Sequence, residues 1–242
     1  MMRNPAISIV VPALDEEKAL GEVLASLGSQ SEAPPFEVIL ADGGSADRTV
    51  ALFSEIAAAW PAPRPAAQVV ACRRRGRAAQ MNAGASAARG EDLLFLHADT
   101  LLPSGALVAV AEVLRDRRVV GGGFRHRFRE PGALLRVISI WATTRSRLCR
   151  IHYGDQAMFM RRSVFETLGG FEEVPLFEDL RLAQSLRRAG RVVTLSIPAT
   201  TSARRLSQGG VLRTGLRFAA LRLRHALGAD PGALHRGYPD VR

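Results

Sequence analysis

Four acidic groups in this chain stand where chemistry is commonly done. Asp15 and Glu16 follow the apolar run 7–11, Asp42 follows 37–40, Asp99 closes the run Leu93-Leu94-Phe95-Leu96-His97-Ala98-Asp99, and Glu178-Asp179 opens a stretch of helical pattern. Carboxylates so placed suit two tasks: holding a divalent cation against phosphates, and taking a proton from a nucleophile. Asp99 suits the first, because ligands of open α/β sheets gather at the carboxyl ends of strands. A turn or helix N-cap accounts for the same residue without any ligand. Glu178 and Asp179 suit the second, because the positive end of a helix keeps a carboxylate ionised, although ordinary N-capping explains the pair equally.

Positive and polar groups accompany these acids. Arg75 and Arg77, at the start of a predicted helix, would neutralise a diphosphate or simply form a solvent-facing basic turn. Asn82 on the same helix would reach a ribose or cap a neighbouring loop. His97 has no partner at metal-ligand spacing, and a lone histidine is usually structural. No Walker or dinucleotide glycine loop is present, and Asp42-Gly43-Gly44-Ser45 is a weak glycine signal.

The elements that must position these groups alternate. Strand 7–11 leads to a helix with Leu20, Val23, Leu24 and Leu27 on one face; strand 37–40 leads to a helix within 47–60; strand 68–71 leads to a small-residue helix, and strand 93–96 to a helix over about 103–114. This alternation predicts an α/β domain with a mostly parallel sheet and helices on both faces. In such a sheet the loops bearing Asp15, Glu16, Asp42 and Asp99 open on one edge, forming a crevice that fits a nucleotide. Regularity weakens after Val119: 121–128 reads as a strand that pairs antiparallel, 134–141 and 180–189 as helices, and 191–197 as a last strand.

Composition sets the bounds. The 242 residues are 47% hydrophobic and 23% charged, a globular balance that suits one large domain. The formal charge of +10 invites an anionic partner. Lys18 is the only lysine, so part of the arginine excess reflects base composition. Cys72 and Cys149 are too few for a zinc site or disulfide framework, which points to a reducing, cytoplasmic setting. The start shows no signal-peptidase pattern, and no uncharged apolar run approaches the roughly 20 residues of a membrane span.

Taken together, five stretches resemble the family 2 glycosyltransferases of the GT-A fold over about residues 7–197. They are Ile9-Val10-Val11-Pro12-Ala13-Leu14-Asp15-Glu16, Leu40 through Thr49, 76–84, 93–99, and Gly169-Gly170-Phe171 leading to Glu178-Asp179. Within that family the chain is similar to a small soluble bacterial branch associated with radical-SAM and selenium-domain proteins. The resemblance implies that Pro12, Ala13, Asp15, Glu16 and Asp42 bind the nucleotide. The family's metal motif is Asp-x-Asp; here His97-Ala98-Asp99 keeps the final acid, implying Asp99 as ligand to Mn²⁺ or Mg²⁺, and puts His97 at the ribose-contacting position. It further implies Asp179 as general base with Glu178 in support, Gly154-Asp155-Gln156 on the acceptor side, and Arg204 and Arg205 over the diphosphate. The implied reaction is an inverting transfer from a nucleoside diphosphate sugar to a hydroxyl or carboxylate.

Two other activities share such a crevice. A nucleotidyltransferase would release pyrophosphate, but the basic glycine-rich signature it needs after the first strand is missing. An inactive binding protein would use the basic segment 201–242, where Leu212, Leu216, Ala219, Leu223 and Leu227 share a helical face beside Arg213, Arg217 and Arg224. That segment is expected to pack on the domain of residues 1–200, or to lie on an anionic membrane at the inner face. Nucleic acid is disfavoured, because 6% aromatic residues offer little for base stacking.

Overall fold

The computed structural model describes residues 5–30, 32–62, 65–74, 76–204, 206, 210–226, 229, 232 and 234. Its centre is β1 (Ile7–Ala13), a β-branched run buried at every position. Such a run is stable only where both sheet faces are covered. Ile7, Ile9 and Val11 point into one core with Leu20, Leu24, Phe53 and Leu107, while Val10 points into the other with Met81, Phe165 and Leu182. The two-residue period of a strand thus operates inside a continuously apolar stretch.

β1 pairs in parallel with β2 (Phe36–Asp42) and β4 (Asp92–Phe95), and β2 with β3 (Ala66–Ala71). Register places Ala13 beside Asp42 and Val10 beside Phe95, so the loops after these strands leave from one edge. Helices α1 (Glu17–Gly28), α2 (Thr49–Ala58) and α4 (Ala106–Leu114) cover one face. Helices α3 (Arg77–Ala87), α6 (Arg162–Thr167) and α7 (Glu178–Ala189) cover the other.

The remaining strands are mixed. β7 (Met158–Arg161) runs antiparallel to β4 and to β6 (Val119–Phe128); β6 runs parallel to β8 (Arg191–Thr201), whose end pairs antiparallel with β5 (Thr100–Leu101). The order is β3-β2-β1-β4-β7-β6-β8-β5. The antiparallel pairing expected of 121–128 is confined to Gly121 and Gly122, and 124–128 pairs parallel with β8 instead. Gly122 is required there, because a Cβ would meet the Val193 carbonyl and the Phe159 ring.

Two helices close the mixed half, α5 (Ala133–Cys149) and, packed along it, α8 (Val211–Ala226). Of the stripe expected from the sequence, Leu212, Leu216 and Ala219 are exposed, and Leu227 lies outside the described residues. Thr214 and Leu221 are buried, with Phe218 against Leu135 and Leu176, while Leu212 and Leu216 face outward. Among the described residues no helix is long and apolar enough to cross a membrane.

Candidate active site

The first two loops are laced together by their own side chains. The Asp15 amide donates to Ser45 Oγ (3.0 Å), and Asp15 Oδ1 accepts from the Ala46 amide (2.8 Å). The Glu16 amide donates to Thr49 Oγ1 (2.8 Å), and Asp42 accepts from the Gly44 and Ser45 amides and from Ser45 Oγ. Pro12 and Ala13 close β1 against Ala41 and Asp42. Gln80, buried on α3, clamps both strand ends by donating to the Ala13 (2.6 Å) and Ala41 (3.3 Å) carbonyls. Asp15 itself is left-handed at φ 53°, a costly conformation for a non-glycine residue that only a well-determined surrounding sustains.

Asp99 leaves the edge beside this frame. Its carbonyl accepts from the Ser202 amide (3.3 Å), and the next residue, Thr100, donates from its hydroxyl to Thr201 Oγ1 (3.1 Å). The C-terminal end of β8 therefore braces the Asp99 loop and brings in Arg204. That guanidinium grips both Glu16 oxygens at 2.7 Å and lies 3.6 Å from Asp99 Oδ2. A cation thus joins the first loop to the acid of the third.

Asp179 stands in the first turn of α7, after Phe177, another left-handed residue at φ 69°. Asp179 Oδ2 accepts from the Gly154 amide at 3.0 Å. Burial pushes the Asp179 carboxyl up, and the neighbouring Glu178 and Asp155 charges push it further, against Arg77 and the Gly154 amide. A raised carboxylate with an anchored oxygen is suited to general-base work. Gly154 also lies against His97: a Cβ there would run into the His97 ring. His97, two residues before Asp99, and Asp179 therefore share one neighbour.

The turn Gly154–Gln156 positions three groups in succession. Gly154 holds Asp179, Asp155 Oδ2 lies 3.4 Å from Nε2 of the buried His126, and Gln156 Oε1 accepts from Arg145 Nη2 (2.9 Å) and Ser146 Oγ (2.8 Å). Burial opposes ionisation of Asp155, but His126, Arg145 and His97 hold its carboxyl below the usual carboxylate range. One carboxylate is thus kept ionised beside another that is ready to accept a proton.

Comparison with known proteins shows the family. The profile of glycosyl transferase family 2 matches residues 8–169. The chain belongs to that family. A PGL/p-HBAD biosynthesis glycosyltransferase of Mycobacterium bovis is 30% identical over 183 residues, 70% of this chain and 64% of the relative. An undecaprenyl-phosphate 4-deoxy-4-formamido-L-arabinose transferase of Pseudomonas paraeruginosa is 29% identical over 171 residues, 67% of this chain and 49% of the relative. The family 2 chain thus spans less than two thirds of the length of these curated relatives.

Among solved structures, the mannosyltransferase PcManGT of Pyrobaculum calidifontis, in complex with GDP-Man and Mn²⁺, superposes with a TM-score of 0.68 at 22% identity. That match covers 83% of this chain and 58% of the other. S. aureus TarS 1–349 gives 0.65 at 18%, covering 81% and 60%. These likenesses establish the GT-A fold expected of a family 2 chain.

Several of the residues singled out in the sequence have partners within the protein. Asn82 Nδ2 donates to the Phe171 carbonyl (2.8 Å) and its Oδ1 accepts from the Phe171 amide (2.9 Å). Of its two expected roles, capping a loop is the one observed. Glu178, only 3% exposed, takes Arg77 Nε at 2.6 Å and Nη2 at 2.5 Å. A buried carboxylate needs such a partner, so the acid on α7 claims the cation on α3. Glu178 itself raises Asp179 through its charge. His97 packs on the acceptor-side turn through Gly154. Arg75 and Arg205 lie outside the described residues. Gln80, His126, Arg145 and the Glu16–Arg204 pair went unrecognised in the sequence.

The divalent cation implied by the family finds one carboxylate, Asp99. Among the described residues no group of three or more His, Cys, Asp or Glu side chains could hold a metal ion. Cations at nucleotide sites take one or two carboxylates and complete their shell with phosphates and water. Asp99 therefore fits a cation that arrives with a diphosphate.

Proposed function

We propose that this protein transfers a sugar from a nucleoside diphosphate sugar to a hydroxyl or carboxylate acceptor, with inversion at the anomeric carbon. The observation that carries this reading is the meeting at Gly154 of the loop that leads to Asp99 and the helix that bears Asp179. The frame built on Asp15, Glu16, Asp42 and Gln80 is suited to hold the nucleoside at the shared strand edge. Relatives named as glycosyltransferases, and fold neighbours in complex with GDP-Man and Mn²⁺ or with UDP-GlcNAc, support nucleotide-sugar use.

In this reading Asp179 accepts the proton of the acceptor as its oxygen attacks the anomeric carbon. The bond to the diphosphate breaks on the opposite face, and the nucleoside diphosphate departs with the electron pair. One displacement with no covalent sugar–enzyme stage gives inversion. Arg204 faces the place where negative charge grows and can exchange Glu16 and Asp99 for phosphate oxygens. A divalent cation at Asp99 would supply further charge stabilisation to the same diphosphate.

The test is a screen of nucleoside diphosphate sugars by thermal shift, followed by transfer or hydrolysis of any donor that binds. A donor that stabilises the protein and is hydrolysed by wild type but not by Asp179→Asn is the expected result. Release of pyrophosphate from a nucleoside triphosphate, or no donor binding at all, would overturn it.

A further inference from the structure

The buried side of α5 is polar where a docked helix face is ordinarily apolar. Ser139, Thr143 and Ser146 are at most 9% exposed and follow one another at helical spacing, so they share one side of the helix. Each hydroxyl meets a neighbouring element. Thr143 Oγ1 accepts from the His126 amide (3.1 Å), Ser139 Oγ lies 3.1 Å from His126 Nδ1, and Ser146 Oγ lies 2.8 Å from Gln156 Oε1, with the Ala142 carbonyl as its other acceptor. Apolar groups of the same shape would stabilise this contact about as well, so what the hydroxyls add is a single defined position.

Gln156 is where this polar side meets the candidate site. It is fully buried, and its side chain bridges two elements: Oε1 accepts from Arg145 Nη2 of α5 as well as from Ser146, and Nε2 donates to the Phe124 carbonyl of β6 at 3.0 Å. Both lone pairs of the amide oxygen are thereby used inside the protein. Two residues earlier, the Gly154 amide reaches Asp179. The Leu180 amide that meets the other oxygen belongs to Asp179's own helix, whereas Gly154 approaches from a different element. The turn is closed by the Gln156 amide on the Tyr153 carbonyl (2.9 Å) and the Ala157 amide on the Gly154 carbonyl (3.2 Å). Ala157 is left-handed at φ 45°, a strained state that only a well-determined surrounding sustains. A turn wound this tightly moves as one piece, so the place where Gln156 is held decides where the Gly154 amide points.

We propose that Gln156 is a positioning residue for the transfer: clamped between α5 and β6, it sets the Gly154 amide on Asp179 and so aims the base, without itself touching the acceptor. This rests on the transferase reading, in which Asp179 takes the acceptor's proton. The charged groups around Asp179 are Glu178 beside it on α7, Arg77 on α3, Asp155 on the turn and Arg145 on α5. A hydrogen bond fails within a fraction of an ångström of displacement, whereas charge interactions over several ångströms barely change. Loosening Gln156 therefore removes the amide bond and leaves these charges nearly as they were. The carboxyl then loses one of the groups that favour its ionised form, and is pushed further up.

The experiment follows the carboxyl carbon of Asp179 by NMR against pH in the full chain labelled with isotopic aspartate, the signal being assigned with Asp179→Asn. Donor hydrolysis is measured on the same samples. Gln156→Met keeps the length of the side chain and removes its hydrogen bonds; Ser146→Ala removes one of them and carries the test alone should the first variant not fold. Ser8→Ala is the control for lost stability, because it strips a buried hydroxyl from Glu37 at the start of β1, away from the strand ends that bear the acids. The expected result is an Asp179 signal that titrates at higher pH in Gln156→Met, less so in Ser146→Ala, and as in wild type in Ser8→Ala. With it, kcat of Gln156→Met falls about tenfold at constant donor KM. An Asp179 titration unchanged in both variants overturns the proposal, as does an equal shift in Ser8→Ala, which would mean general loosening. Because the titration needs no substrate, the expected shift in a wild-type background that turns over no nucleotide sugar would support the coupling and count against the transferase reading alone.

Discussion

The amide of Gly154 and the carboxylate of Asp179 are joined by a 3.0 Å hydrogen bond. That contact fixes Oδ2 of Asp179, and the Leu180 amide donates to Oδ1 at 2.7 Å, so the carboxylate is held by backbone amides at both oxygens. The Gly154 contact depends on the absence of a side chain at 154, where the His97 ring fills the space.

Replacing Asp179 with Asn should lower kcat by about 10²- to 10⁴-fold, the usual span for loss of a general base, while donor affinity changes little. In the wild type the carboxyl is pushed up, chiefly by burial and then by Glu178. Because the base must be ionised, activity should rise with pH along a limb displaced above the ordinary carboxylate range. A kcat–pH profile of wild type and Glu178→Gln checks this, and the variant's limb should move toward lower pH.

Arg204 and a cation compete for Asp99. Mn²⁺ alone should show little saturable binding by calorimetry, and addition of a nucleoside diphosphate should tighten it at least tenfold. In Arg204→Gln the two effects should separate: Mn²⁺ affinity of the nucleotide-free protein rises, and nucleotide affinity falls about tenfold. Unchanged values for both would contradict the arrangement at Glu16 and Asp99.

Asn82→Ala should act on stability and not on the donor. It removes two hydrogen bonds to the Phe171 backbone, leaving both peptide groups without partners, at a cost of about 2–3 kcal/mol. Urea unfolding together with donor KM distinguishes this from a ribose contact, for which KM would rise at constant stability.

His152 makes the fold sensitive to acid. Burial, with Arg145 nearby, pushes its imidazole down to about 4, and its Nε2 meets Thr194 Oγ1 at 2.9 Å. Between about pH 6.5 and 4 the unfolded chain binds a proton that the folded chain excludes. Stability is therefore fully present above this window and falls by up to about 3 kcal/mol as pH drops through it. His152→Gln should flatten the dependence of the urea midpoint on pH across the same range.

The parallel half was readable in sequence because its cause is local. A buried parallel strand is apolar at every position, and the first polar residue beyond it lies at the shared edge, so Asp15, Asp42 and Asp99 could be picked out one strand at a time. What remained hidden is set by distance along the chain. Gln80 reaches Ala13 across 67 positions, and Arg204 reaches Glu16 across 188. Arg77 and its partner, Glu178, are 101 positions apart. Neither composition nor period carries such pairings. The region around Gly154–Gln156 is harder still: β6 pairs parallel with β8 along its length while its Gly121 and Gly122 also pair antiparallel with β7, and His126 meets a carboxylate only because the fold brings Asp155 beside it.

The pairing of Thr100–Leu101 with Thr200–Thr201 makes the far end of the chain part of the first half's chemistry. A protein shortened before that strand end would retain its complete parallel layer and the pocket for a base. It would lose, in a single cut, both the clasp that steadies Asp99 and the guanidinium above it. Such a fragment would grip a nucleoside well and let its phosphates swing, making it a receptor that recognises the donor but no longer commits it to reaction.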